Sequence, residues 1–318
     1  MGNNNQLTIT RGTVPEAFFD AFDFRPSTAA TYRRELAVFV DYLTENGITH
    51  PTPGDIRAYR DRMAAELKPT TLRTRMAAIK RFFTWTSQTT PMLYPNIAAN
   101  IRPPRVTRDF KKDFLTLAEV VKLEDSIDTH GERGKRDRAI ISLMITAGLR
   151  DVEITRAKFK HLERIGGEWW LKVWGKGHDD ADRVNRITEP EILFDYINAK
   201  YHGTEPPAED YIFTSVSNNT AAAAVTPMNP GSISRIIKNR LRYIGIDSPT
   251  VTAHSLRHTA GAQAIEAGES LEDVSEMLGH SSTAITKTYT HGLQRKHNRA
   301  EYSLKAAIDK ERERRKKN

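Results

Sequence analysis

The chain has 318 residues, enough for one large domain or two ordinary ones, and its 38% hydrophobic and 28% charged content argues against wholesale disorder. It contains no cysteine, which removes disulfides, thiolate metal sites and cysteine nucleophiles, and no apolar run nears the roughly 20 residues that span a bilayer. Its 48 Lys and Arg outnumber 40 Asp and Glu, and the resulting charge of +8 favours a polyanionic partner.

The opening MGNNNQLTIT lacks the basic start and apolar stretch of a secretory signal, and Gly2 is followed by a polar sequence that is a weak acylation signal. A cytoplasmic, DNA-associated location without membrane attachment is the expectation. Residues 1–26 read as an N-terminal extension and 27–103 as a helical domain. Its first helix is expected after Ser27, with Tyr32, Leu36, Phe39 and Leu43 on one face and Gly47 as the stop. The second begins at TPGD, with Thr52 as N-cap, Pro53 at the first helical position and Asp55 in the first turn. The third starts at Thr70 and repeats the apolar spacing with Leu72, Met76, Ile79 and Phe83. Its other sides carry Arg73, Arg75, Lys80 and Arg81, and a short helix around Ile97–Ile101 is expected to close the bundle.

IRPPRVTRDFKKD (101–113) has prolines that resist helix and little to bury, so 104–113 is assigned as an interdomain linker. Arg102, Arg105, Arg108, Lys111 and Lys112 crowd it. The arginines of the third helix form either a solvated face or a phosphate-contacting one, and this basic neighbour favours the second. Residues 114–318 then read as a second, mainly helical domain with one small antiparallel sheet. Thr116 and Glu119 form a capping box for a helix through about Ile127, and an apolar helix over 135–147 runs into Gly148. Strand-like alternation fills Phe159–Ile187, with a turn at Gly166–Gly167 and another near Gly175–Asp180. Further helices are expected from Glu189, Pro230, His254, Leu271 and Ser282, ahead of a basic tail, ERERRKKN.

Four segments of this second region carry side chains suited to phosphate chemistry. TAGLRDVEI sets Arg150 just beyond a helix-ending glycine, with Glu153 three residues on. HSLRH sets His254 and Arg257 on one helical face, with His258 one turn from His254. No HExxH pattern or acidic third ligand accompanies the two histidines, so no metal site is expected. LGHSS offers His280 after Gly279, and TKTYTH offers Tyr289. Each of these alone is a weak signal and reads more readily as a helix cap, a surface residue or a core residue.

Taken in order, Arg150, Lys176 in WGKGH, His254-x-x-Arg257, LGH ending in His280 and Tyr289 nine residues later resemble the signature of the tyrosine recombinases, or phage integrase family. The Xer-like members are the most similar, and the likeness covers nearly the whole chain. It implies a SAM-like helical core-binding domain followed by a mixed α/β catalytic domain. It also implies that Tyr289 attacks a DNA phosphate, without metal, ATP or other cofactor. Arg150 and Arg257 then clamp the phosphate, His254 accepts the phenolic proton, His280 donates to a non-bridging oxygen and Glu153 orients its neighbours. Guanidinium suits the clamp because its planar fork donates two hydrogen bonds and stays charged. Lys176 protonates the leaving 5′ oxygen, with Lys172 on the preceding strand as the competing candidate. The implied partners are double-stranded DNA with an inverted-repeat core site, three further copies in a cyclic tetramer, and a possible second recombinase or accessory protein. A C-terminal helix over about Asn298–Glu313 docks on a neighbouring copy or folds back on its own domain. The segment before the first helix is short for the arm-binding domain of lambda-type integrases. Type IB topoisomerases and hairpin telomere resolvases use similar pocket chemistry and are the rival reading, beside a non-cleaving DNA-binding relative.

Overall fold

A computed structural model describes residues 14–89, 96–104, 114–174, 183–216 and 226–280, together with Lys305 and Ile308. The chain divides into two compact units, Met1–Asp109 and Phe110–Asn318.

The first unit holds helices α1 (Glu16–Asp20), α2 (Pro26–Glu45), α3 (Pro53–Glu66) and α4 (Pro69–Thr89). The apolar spacing read from the sequence becomes its core, since Leu36, Phe39, Leu43, Leu72, Met76, Ile79 and Phe83 are all buried. The α3 cap forms as expected: the Thr52 hydroxyl accepts from the Asp55 amide while the Asp55 carboxylate accepts from the Thr52 amide at 2.7 Å. Two expectations change. The segment before residue 27 is not merely an extension, because α1 inserts Phe18 into the same core, 5.6 Å from the Phe82 ring and 5.7 Å from the Trp85 ring. The closing helix around Ile97–Ile101 is a run of turns. There the Asn96 side chain accepts from the Ala98 amide at 3.2 Å, a local bond that competes with helix, and Pro103 follows shortly after. Ala98 and Ile101 still reach the core.

The second unit is built around α6 (Glu132–Thr146), a helix buried on nearly all sides from Ala139 to Met144. It begins at Glu132 rather than 135, because Gly131 supplies the cap and Glu132 places an acid at the positive end of the helix dipole. Around α6 lie α5 (Leu117–Asp125), α8 (Pro190–Tyr201) and α10 (Ala253–Glu266), with α7 (Asp151–Arg156), α9 (Pro230–Tyr243), α11 (Leu271–Leu278) and a short 3-10 turn at Phe159–His161 completing the helical set among the described residues. The Thr116–Glu119 capping box opens α5 as expected. Strands β1 (Leu162–Ile165), β2 (Glu168–Val173) and β3 (Arg183–Ile187) form one antiparallel sheet in that order. β1 and β2 meet at Gly166–Gly167, and the register pairs Leu162 with Leu171 and Leu171 with Asn185. Leu171, Val173 and Ile187 face the core, while Trp169 packs its ring 4.8 Å from Phe194. No described helix is long and apolar enough to cross a membrane.

Candidate active site

Two left-handed glycine turns bring the sequence motifs together. After α6 ends, Gly148 at φ 63° reverses the chain and delivers Arg150 to the N-cap of α7. After α11 ends, Gly279 at φ 56° does the same for His280. Both turns are crowded as well as left-handed. A Cβ on Gly148 would sit 2.5 Å from Leu278 Cδ2, and one on Gly279 would overlap the Arg183 guanidinium. Only glycine satisfies both conditions.

A guanidinium at a helix N-cap opposes the helix dipole, and Glu153 at the third helical position offsets it. The Glu153 carboxylate is fully buried. It accepts from the Arg150 amide at 2.8 Å and from Arg150 Nη1 at 2.6 Å. Arg150 keeps about a quarter of its side chain open to solvent (27%) and also reaches the Gly279 carbonyl at 3.5 Å. Arg257, on α10, is almost wholly buried. Its Nη1 donates to the Gly148 carbonyl at 2.5 Å and its Nη2 donates to the Leu278 carbonyl. Backbone carbonyls of the glycine turns thus hold both arginines, Gly279 for Arg150 and Gly148 with Leu278 for Arg257.

The histidines flank these arginines. His254 lies on α10 one turn from His258, with ring centroids 4.5 Å apart. Lost hydration, then the neighbouring charges of His258, Arg257 and Arg150, bring the pKa of His254 down to about 4. His254 is nevertheless an exposed residue of α10, flanked by buried Ala253 and Ser255. Lost hydration, then the charges of Arg257 and Arg150, bring His280 down to about 4 as well. Both rings are therefore neutral at pH 7, one nitrogen able to accept a proton and the other able to donate a hydrogen bond. Among the described residues no group of three or more His, Asp or Glu is placed to hold a metal ion.

Lys176 and Tyr289 lie outside the described residues, as do the hairpin turn near Gly175–Asp180, the helix expected from Ser282, Arg105 and Arg108. The segment assigned to the C-terminal helix is described only at Lys305 and Ile308. Lys172, the competing lysine, pairs with Glu163 across β1 and β2 at 2.5 Å. The site also contains two residues that the sequence reading missed. Arg183 opens β3 and donates from Nη2 to Glu153 at 2.9 Å and from Nη1 to the Leu278 carbonyl at 2.7 Å. Asn185 accepts from Arg183 Nε at 2.5 Å and donates to the Ala147 and Met277 carbonyls, both at 2.8 Å.

Residues 113–296 match the phage integrase family, and residues 21–89 match the SAM-like N-terminal domain of phage integrases. The chain belongs to the phage integrase family. This integrase-family chain is 28% identical over 276 residues to the tyrosine recombinase XerC of Escherichia coli O127:H6 (strain E2348/69 / EPEC), covering 84% of this chain and 86% of that one. It is likewise 28% identical over 274 residues to the XerC of Yersinia pestis, covering 84% of each. Its fold is similar to that of the XerH site-specific recombinase bound to palindromic difH substrate in a post-cleavage complex, with TM-score 0.71 and 18% identity over 85% of this chain and 78% of that one. A lambda integrase dimer bound to a COC′ core site is similar too, with TM-score 0.63 and 16% identity over 86% of this chain and 94% of that one. The activity of this integrase-family chain is the cleavage and rejoining of DNA in site-specific recombination.

The basic residues assigned to DNA in the first unit fare unevenly. Arg73, Arg81 and Arg102 are exposed, with the Arg81 guanidinium 3.9 Å from the Phe22 ring centroid. Lys80 donates to the Ala99 carbonyl at 3.1 Å. Arg75 is not on that face. It turns inward to pair with the buried Glu35 at 2.7 Å and to donate to the Tyr59 hydroxyl at 3.3 Å. A buried carboxylate on α2 needs a cation from its neighbour more than the surface does.

Proposed function

We propose that Tyr289 attacks a DNA phosphodiester held between Arg150 and Arg257, forming a 3′-phosphotyrosyl bond as the bond to the 5′ oxygen breaks. The single observation carrying this reading is the convergence of Arg150 and Arg257 on the two glycine turns, with His254 and His280 beside them. Negative charge grows on the non-bridging oxygens in the transition state, and guanidiniums fixed in advance stabilise it without reorganising. A phenol ionises near 10 and needs help at neutral pH. Neutral His254 accepts its proton, and neutral His280 donates a hydrogen bond to a non-bridging oxygen. Lys176 gives its proton to the departing 5′ oxygen. The ester energy stays in the phosphotyrosyl bond, so a 5′-hydroxyl from another strand reverses the step and frees Tyr289. Two rounds of exchange pass through a Holliday junction.

In this reading the partner is double-stranded DNA bearing an inverted-repeat core site, in the cytoplasm where that DNA resides. Four copies act together, linked by the segment near Asn298–Glu313, and a second recombinase or accessory protein can join them. The segment over 27–103 and the linker at 104–113 hold the duplex, with Arg73, Arg81 and Arg102 on phosphates.

The test is covalent capture. The protein is incubated with a library of nicked duplexes randomised over two inverted arms, each about one helical turn long. Adducts that survive detergent identify the site. Tyr289→Phe should bind the selected duplex as the parent does and form no adduct; a persisting adduct refutes the assignment. Lys176→Ala should recover cleavage on a 5′-bridging phosphorothiolate, whose thiolate leaves unprotonated, and failure of that rescue would move the role to Lys172 or elsewhere. Robust relaxation of supercoiled plasmid lacking any selected site would favour a topoisomerase instead.

A further inference from the structure

The clamp described above has a hub that none of its motifs contains. Arg183 stands at the first residue of β3, so it immediately follows the segment that carries Lys176. Its Nη2 shares the Glu153 carboxylate with Arg150, and its Nη1 shares the Leu278 carbonyl with Arg257. A continuous path of hydrogen bonds therefore runs Arg150, Glu153, Arg183, Leu278, Arg257. Asn185, two residues on along the same strand, holds Arg183 Nε and ties β3 to the last turns of both α6 and α11. The Arg183 side chain is 12% exposed and Glu153 not at all, whereas Arg150 is 27% exposed. Nε, Nη1 and Nη2 of Arg183 each donate to a protein acceptor, so its guanidinium acts through those neighbours.

We propose that Arg183 is a positioning residue for strand cleavage: it locks the Arg150–Glu153 pair to the Leu278–Gly279 turn, so that Arg150, Arg257 and His280 hold one geometry before DNA arrives. The reach of this lock follows from its location. Gly279 has no room for a side chain because Arg183 fills the space beside it, so the same guanidinium sets the turn that presents His280. Arginine is needed because the fork reaches a carboxylate, an amide oxygen and a carbonyl in three directions at once, and a lysine ammonium on a flexible stem does not reproduce that fan.

This inference rests on the recombinase reading, and the experiment separates the two. Parent, Arg183→Lys, Arg183→Met and Tyr289→Phe proteins are compared on the nicked duplex chosen by adduct capture, measuring affinity by titration and cleavage by single turnover. The Arg183 variants should bind within about twofold of the parent while cleaving about 10- to 100-fold more slowly, the loss expected when a clamp drifts by an ångström or so. Combining Arg183→Lys with Arg150→Lys should cost little more than Arg150→Lys alone, because the two act through one path. Thermal melting shows which variants are folded, and Arg183→Lys decides the matter if Arg183→Met does not fold. Cleavage at the parental rate, a loss of cleavage no larger than the loss of binding, or full additivity with Arg150→Lys would each overturn the assignment. Absence of any Tyr289-dependent adduct from the parent would instead sink the recombinase reading, and this inference with it.

Discussion

Replacing Gly279 with alanine tests whether Arg183 is held against the α11 turn. Two costs add. The φ of 56° places the residue in the left-handed region, which costs a residue with a side chain about 1–2 kcal/mol. The new Cβ would also lie 2.9 Å from Arg183 Cδ and Cζ and overlap Nη1, whose bond to the Leu278 carbonyl holds it in place. Moving the guanidinium loses a charge-assisted hydrogen bond worth about 1.5–3 kcal/mol. The total destabilisation is about 2.5–5 kcal/mol. Gly166→Ala is the control, since Gly166 has a similar φ of 60° in the same unit and a methyl group added there would meet nothing within 4 Å. It should show the backbone cost alone. At about 2–4 °C per kcal/mol for a unit of this size, the two variants should melt about 3–12 °C apart by calorimetry. Equal melting temperatures would mean that Arg183 is not fixed beside Gly279, and the lock would fall with that result.

Three further predictions come from the described residues. His254 and His280 sit at about 4, below the unfolded value of 6.5, so the folded state binds fewer protons between those limits. Their contribution to stability is complete above pH 6.5 and is lost as pH falls toward about 4; NMR titration of the two rings should find both midpoints well below 6, and a midpoint near 6.5 for either would contradict the site's electrostatics. Arg75→Met should lower the stability of the first unit without changing the salt dependence of DNA affinity, whereas Arg73→Ala should reduce that salt slope by about one with little loss of stability. Phe18→Ala should destabilise the first unit by about 3–5 kcal/mol in denaturant titration, because the ring is fully buried among Phe82 and Trp85; a change within error would return α1 to the status of a loose extension.

The legible parts of this protein were those whose physics is local. Thr52 with Asp55 and Thr116 with Glu119 announce helix starts because a cap is a bond across three residues. Gly166–Gly167 marks a hairpin for the same reason. Arg150, His254, Arg257 and His280 were found because their order and spacing form a recognisable set, although each alone was ambiguous. What escaped depends on distant partners. Arg183 lies in a charged stretch with no periodicity to single it out, and two of its three acceptors come from residues 30 and 95 positions away. Arg75 directly precedes the buried Met76 in sequence, and only the arrival of Glu35 from α2 turns it inward. Helix α1 spans five residues, too few for a 3.6-residue period to emerge, so its burial of Phe18 was invisible until the chain folded.

The sharing of Glu153 constrains how this sequence can drift. A lineage that first exchanged Glu153 for a neutral residue would leave Arg150 and Arg183 facing each other across an enclosed space, with like charges no longer separated by a carboxylate. One that first exchanged Arg183 would strip a donor from both Glu153 and the Leu278 carbonyl. Each single change removes a partner on which the other depends, so substitutions at positions 153 and 183 are expected to be coupled rather than additive. Variation at this hub is therefore a property of the couple, and a substitution tolerated in one background carries no warrant for its tolerance in another.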